Sequence, residues 1–399
     1  MAAEVSCPPL PEGAVLLHVG LHKTGTTAMQ TLLAANRPLL LEHGVVYPGD
    51  REEHHGLARA FTQRSFGRPG SIRQPPPPEV WSEFVAGLAQ ETRRVVISSE
   101  YLSVLADDAV ARIVHDLGPE RLHVLIGIRS LAASAASTWQ QSLKDGRTLT
   151  IDAWAKRAIP RGGAPVKNPW TWDHAQLGVL AHQWANAAGA DRVTMVVVEG
   201  PDRTRLPGTF EQLLDLPAGL LSSKTPPTVN RGMTAAEAEF VRRVNVASKD
   251  DIDYGAHRRY IRFGAILSMV ERRTPAPDEP RPVLPEWAAE ELRAAAPGVA
   301  EQIRASGVRV VGDLDALGAT PAAAGQGGAP VDTVPSDAAV QALVGAVRVA
   351  ARAAADARPK KTAPPPIAAV PAGALARELR RRVRRRAAAL ISRRGRRAT

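Results

Sequence analysis

Lys23, Thr24, Gly25, Thr26 and Thr27 follow an apolar, β-branched run, Val15-Leu16-Leu17-His18-Val19-Gly20, and open a helical pattern that continues to Leu33. One ammonium group, three hydroxyls and two glycines within eight residues make a set suited to holding an anion. Strand, glycine-bearing turn and helix start aim free backbone N–H groups and the positive end of a helix dipole at one point. Gly20 and Gly25 let the backbone approach a ligand with no Cβ in the way. A plain surface turn between a core strand and a helix is the competing reading. The order Gly-x-x-Lys-Thr-Gly-Thr-Thr differs from the Walker A loop, which places its lysine after the second glycine.

A second group lies farther along. Arg129 ends the run Leu122–Ile128, and Ser134 and Ser137 follow on a helical segment. A guanidinium fork and a hydroxyl can grip one phosphate from two directions. Alone, a solvated arginine with serines on an exposed helix face explains these residues as well. The stretch Arg157–Trp172, with Arg161, Gly162, Gly163, Lys167, Trp170 and Trp172, is a candidate acceptor lid, since tryptophan stacks on sugar rings. A structural loop whose tryptophans anchor the next helix fits it equally.

These residues need a frame. Near-continuous apolar strands are expected at 15–20, 94–98, 122–128 and 193–198, with a short one at 44–48. Helices are expected between and after them, at about 51–66, 79–92, 107–117, 130–146, 172–188, 234–249, 257–271 and 285–304. Such alternation indicates an α/β domain: a central, mainly parallel sheet flanked by helices in three layers, with ligands beyond the carboxyl ends of the strands. Glu100, Arg129 and Glu199 each follow one of those ends. The sheet-bearing domain is expected over 13–317. An Ala/Pro/Gly-rich linker over 318–372 holds one helical pattern near 336–357, and an arginine-rich tail covers 373–399.

Composition narrows the partners. Of the net charge of +11, the tail from Gly373 carries eleven arginines against Glu378, so it accounts for +10 and the rest of the chain for about +1. That argues against a nucleic-acid partner for the sheet domain and leaves an anionic membrane surface as a candidate partner of the tail. The lone Cys7 suits a reducing compartment, and the N-terminal stretch lacks the basic start and apolar core of a leader. The expectation is a soluble, cytoplasmic protein, with the tail able to hold it at the inner membrane face.

Taken together, Gly20-Leu-His-Lys23-Thr-Gly-Thr-Thr27, Ser98-Ser99-Glu100-Tyr101, and Ile128-Arg129 with Ser137 resemble the sulfotransferase superfamily that uses 3′-phosphoadenosine 5′-phosphosulfate (PAPS), its bacterial members above all. The resemblance covers residues 13–200 well and residues to about 315 loosely. It implies a P-loop fold and transfer of a sulfuryl group from PAPS to an acceptor hydroxyl, on a saccharide or glycolipid, with no metal required. It also implies that His22, Lys23, Thr24, Gly25, Thr26 and Thr27 hold the 5′-phosphosulfate and that Arg129 and Ser137 hold the 3′-phosphate. Lys23 would neutralise charge on the bridging oxygen, and Glu100 would accept the acceptor's proton, with His22, His54 and His55 as alternatives. Asn230-Arg231-Gly232 corresponds weakly to a basic loop of the family, and Ala28 and Met29 stand where an adenine-contacting aromatic is common. Two rivals remain: a P-loop kinase with Glu100 or Glu199 anchoring Mg²⁺, and a non-catalytic nucleotide-binding or membrane-docking protein.

Overall fold

The computed structural model describes residues 7–64, 74–159, 176–198, 204–224, 231–319 and 333–356, with Gly373, Arg377, Arg380 and Arg381. Most of the candidate lid from residue 160 onward, Glu199, Asn230 and the bulk of the tail lie outside the described residues. The chain divides into two units, Met1–Ala350 and Ala351–Thr399. In the second, Arg377, Arg380 and Arg381 are helical and exposed.

The first unit is built on one sheet. Its strands are β1 (Val15–Gly20), β2 (Val45–Val46), β3 (Arg94–Ser98), β4 (Leu122–Ile128), β5 (Val193–Val197) and β6 (Arg309–Val311). Every pairing is parallel, in the order β2-β3-β1-β4-β5-β6. The central strands are buried on both faces, which is why they read as apolar runs rather than alternating ones. Val15, Leu17, Ile97, Val124 and Met195 pack on one side with Leu131, Trp184, Leu292 and Ile303 of the helices Leu131–Lys144, Gln176–Ala188 and Glu286–Ala305. Leu16, Val96, Leu125 and Val196 pack on the other with Met29, Leu33, Phe210 and Leu213, from the helices Thr26–Ala35 and Arg205–Leu214. Removing a side chain such as Leu33 or Phe210 from water contributes about 1.5–3 kcal/mol.

β6 and the helices Ile151–Ala158 and Arg205–Leu214 were not expected from the sequence. β6 has three residues, begins at Arg309 and is only half-buried, so it lacks the apolar run that marks the central strands. The helix expected near 257–271 runs from Tyr254 to Arg272, and its middle, His257–Ile266, is wound as a π-helix.

The strand order sets where a ligand can sit. β1 lies between β3 and β4, and the chain leaves it toward one side of the sheet before returning to the other. Crevices open at the carboxyl edge of such a switch point. The register of β1 against β4 also shifts between His18 and Gly20, so β1 ends out of step with its neighbour.

Candidate active site

Residues 21–25 leave β1 and enter the helix Thr26–Ala35. Lys23 and Gly25 are both left-handed, with φ of 72° and 89°. For a lysine this backbone costs about 1–2 kcal/mol, so neighbouring bonds must hold it. The hydroxyls of Thr24 and Thr26 do so by donating to the Leu21 carbonyl at 2.8 and 2.9 Å, with both side chains buried. Their protons therefore close the loop, while Thr27 stays exposed. Gly25 is the N-cap residue and supplies no side-chain cap; the first helical bond runs from Met29 N to Gly25 O at 3.0 Å. The N–H groups of Thr26, Thr27 and Ala28 precede it, where an anion can cap a helix.

Two glycines let the adjacent strands close on this loop. A Cβ on Gly20, whose φ is +88°, would lie 2.8 Å from Glu100 Cβ. A Cβ on Gly127 in β4 would lie 2.9 Å from Thr24 Oγ1. The loop is thus clasped between the ends of β3 and β4.

On the β4 side, Arg129 donates from Nη1 to the Lys23 carbonyl at 3.1 Å and braces the left-handed residue. Lys23 Nζ donates to Gln141 Oε1 at 2.8 Å. Gln141 lies on the helix Leu131–Lys144, whose buried side carries Ala135, Trp139 and Leu143. Its half-buried side carries Ser137, Gln141 and Lys144 in succession, at the spacing that puts them on one face. Burial pushes the Lys23 ammonium down to about 8; the charges of Lys144 and Arg262 add to this, while Asp145 and Glu100 oppose it. Lys23 is therefore still mostly charged at neutral pH. Asp145 accepts from Arg262 and, at 3.3 and 3.4 Å, from the Gln141 amide.

On the β3 side, the Ser98 backbone and hydroxyl gather three elements: His18 Nδ1 lies 2.9 Å from Ser98 Oγ, Gln30 donates to Ser98 Oγ at 3.1 Å, and Ser98 N donates to His54 Nδ1 at 3.0 Å. Two residues on, Glu100 Oε2 accepts from Gln30 Nε2 at 3.2 Å. Its Oε1 lies 3.5 Å from His55 Nε2 and 3.8 Å from His22 Nδ1. His55 pairs through Nδ1 with Ser99 Oγ at 2.9 Å and stacks on Tyr101 at 4.1 Å. Burial pushes the Glu100 carboxyl up, but the hydrogen bond and charge of His55 and the charge of His22 outweigh it and hold the group at about 2. Glu100 is a carboxylate.

The three histidines differ sharply. His54 is buried, bonds Ser98 N and the Pro48 carbonyl (2.9 Å), and meets Tyr47 edge-on; burial pushes it to about 4. It holds the fold together and is not placed to receive a proton from a ligand. His55 has both ring nitrogens engaged. His22 is 57% exposed, with Nδ1 toward Glu100. Arg231, of the weakly matching basic loop, grips Glu237 with both terminal nitrogens (2.7 and 2.8 Å) and the Met269 carbonyl at 3.0 Å, so it anchors the helix Ala235–Ser248.

The structure thus brings Lys23, Thr27, Glu100 and Arg129 around one loop, with Ser137 on the helix face that also carries Gln141. Gln30, Gln141, Lys144, Asp145 and Arg262 join the surroundings without having been singled out from the sequence. Gln141 was within reach, since it follows Ser137 by one helical turn; Arg262, on the π-helix, carries no local signal. Compared with known proteins, the chain matches no family model and no curated protein.

Proposed function

We propose that this chain is a PAPS-dependent sulfotransferase on a P-loop fold. The observation that carries the reading is the uncapped start of the helix Thr26–Ala35 behind a left-handed Lys23 whose ammonium rests on the neutral amide of Gln141. A 5′-phosphosulfate fits that cradle: the amides of Thr26, Thr27 and Ala28 and the Thr27 hydroxyl supply donors, and Lys23 supplies a charge that no carboxylate among the described residues neutralises directly. Arg129, with Ser137 on the neighbouring helix, is the candidate holder of the 3′-phosphate. PAPS, when bound, supplies the sulfuryl group that a hydroxyl acceptor receives.

The chain's own residues divide the remaining work. Lys23 stabilises negative charge at the bridging oxygen, where preorganised donors act most strongly. Glu100 is the candidate group to take the proton from the acceptor oxygen, and His22 and His55, which hold it ionised, stand against one of its carboxylate oxygens. Gln30 fixes the other oxygen. This ring of imidazoles and an amide is a poor setting for a carboxylate anchoring Mg²⁺, which disfavours Glu100 as the metal anchor of the kinase reading. Transfer of labelled sulfate from PAPS to a panel of saccharide, glycolipid and phenolic acceptors tests the proposal, with Lys23→Ala as the control that loses most of the turnover. Label transferred equally by that variant, or to no acceptor in the panel by the wild type, contradicts it.

A further inference from the structure

The helix Ser336–Asp356 has two faces of opposite character. Ala338, Ala342 and Gly345 are buried on the body of the first unit. There the helix crosses the π-helix closely: a Cβ on Gly264 would lie 3.1 Å from Ala346 Cα and 3.2 Å from the Gly345 carbonyl oxygen. Arg273 fixes its first turn, donating to Asp337 at 2.8 Å while also bonding Glu237 and Glu279. At about 100° per residue, Val340, Leu343 and Val347 fall on the side opposite the packed stripe. They are 54%, 66% and 57% exposed. The helix is long and apolar enough to cross a membrane by length and composition, yet its packed stripe ties one face to the protein body.

The charges that follow this apolar stripe in sequence say what covers it. Arg348 lies on the flank of the same helix and Arg352 in its last turns, and the sequence continues through Arg358, Lys360 and Lys361 to the tail with its net +10. Arg377, Arg380 and Arg381 in that tail are exposed. Exposed aliphatic side chains followed by clustered arginine match a bilayer with anionic headgroups; a nucleic acid would satisfy the arginines and leave the aliphatic stripe in water. We propose that the outward face of the helix Ser336–Asp356 docks on an anionic membrane surface. The π-helix beneath it also supplies Arg262 to Asp145. This inference stands on the stripe and its charges and does not depend on sulfuryl transfer.

Co-sedimentation of the full chain with vesicles tests it, comparing phosphatidylcholine alone with phosphatidylcholine mixed with phosphatidylglycerol. Wild type is expected to pellet with the mixed vesicles and remain in the supernatant with phosphatidylcholine alone. The double variant Leu343→Glu, Val347→Glu should lose at least ~10-fold in partitioning while keeping its melting temperature, because both side chains are exposed in the folded protein. Equal partitioning of wild type and double variant overturns the proposal, since the tail would then suffice. No binding of wild type to mixed vesicles overturns it as well, and a dimer that the double variant dissociates without vesicle binding would assign the stripe to a second copy of the chain.

Discussion

Glu100 lies against the start of the loop, where the proposed reaction needs a proton acceptor. Its carboxylate faces two imidazoles and one amide, and its Cβ sits where a side chain on Gly20 would collide. Glu100→Gln keeps this shape and removes the proposed proton acceptor. Turnover should fall by roughly two to four orders of magnitude while affinity for the product 3′-phosphoadenosine 5′-phosphate (PAP) stays within a few-fold. Near-wild-type turnover would move the role to His22, the exposed imidazole. Lys23 gives a second test through pH. Burial lowers its ammonium to about 8, so charge is lost as pH rises through that value. PAP affinity measured by calorimetry should weaken on that alkaline side, and Lys23→Arg, which stays charged, should flatten the fall; an identical pH profile in the two proteins would count against Lys23 as the anion's charge partner.

At the level of elements, the loop depends on two close approaches. Gly20→Ala introduces a side chain at φ +88° and 2.8 Å from Glu100 Cβ. It should destabilise the fold by at least about 1–2 kcal/mol in urea titration and displace either the loop or the start of Glu100–Val104. Unchanged stability would show that the clasp is looser than the backbone indicates. The strand-loop-helix geometry was legible because a buried parallel strand writes itself as an unbroken apolar run, as in Val15–Gly20 and Leu122–Ile128. What the loop's hydroxyls do was not legible. Thr24 and Thr26 have the same chemistry as Thr27, and only the path of the chain around the Leu21 carbonyl decides which ones turn inward. The histidines were ambiguous for the same reason: His54 and His55 are neighbours in sequence, but one bonds the backbone on both ring nitrogens and the other leans on Glu100. Arg262 and the outward stripe of Ser336–Asp356 depend on which helix faces pack together, and an alanine-rich pattern leaves that choice open.

Across the whole molecule, acid should weaken the fold before it touches Glu100. His18, His54 and His123 are buried, and burial pushes each to about 4. Each folded value lies below that of the unfolded chain, about 6.5. The unfolded state therefore binds more protons between those values, so this stability is complete above about 6.5 and lost as pH falls toward 4. A histidine moved this far contributes on the order of 3 kcal/mol at most, and urea midpoints should drop clearly between neutral pH and mild acid. Midpoints constant over that range would contradict neutral, buried imidazoles. The ligand proposed for the loop, Arg129 and Ser137 can be tested without knowing the acceptor. Calorimetric titration of the full chain with PAP, set beside ATP with Mg²⁺, is the most direct measurement. PAP should bind the more tightly, and Arg129→Ala should weaken PAP more than it weakens ATP; tighter binding of ATP with Mg²⁺, or no PAP binding at all, would contradict a PAPS site.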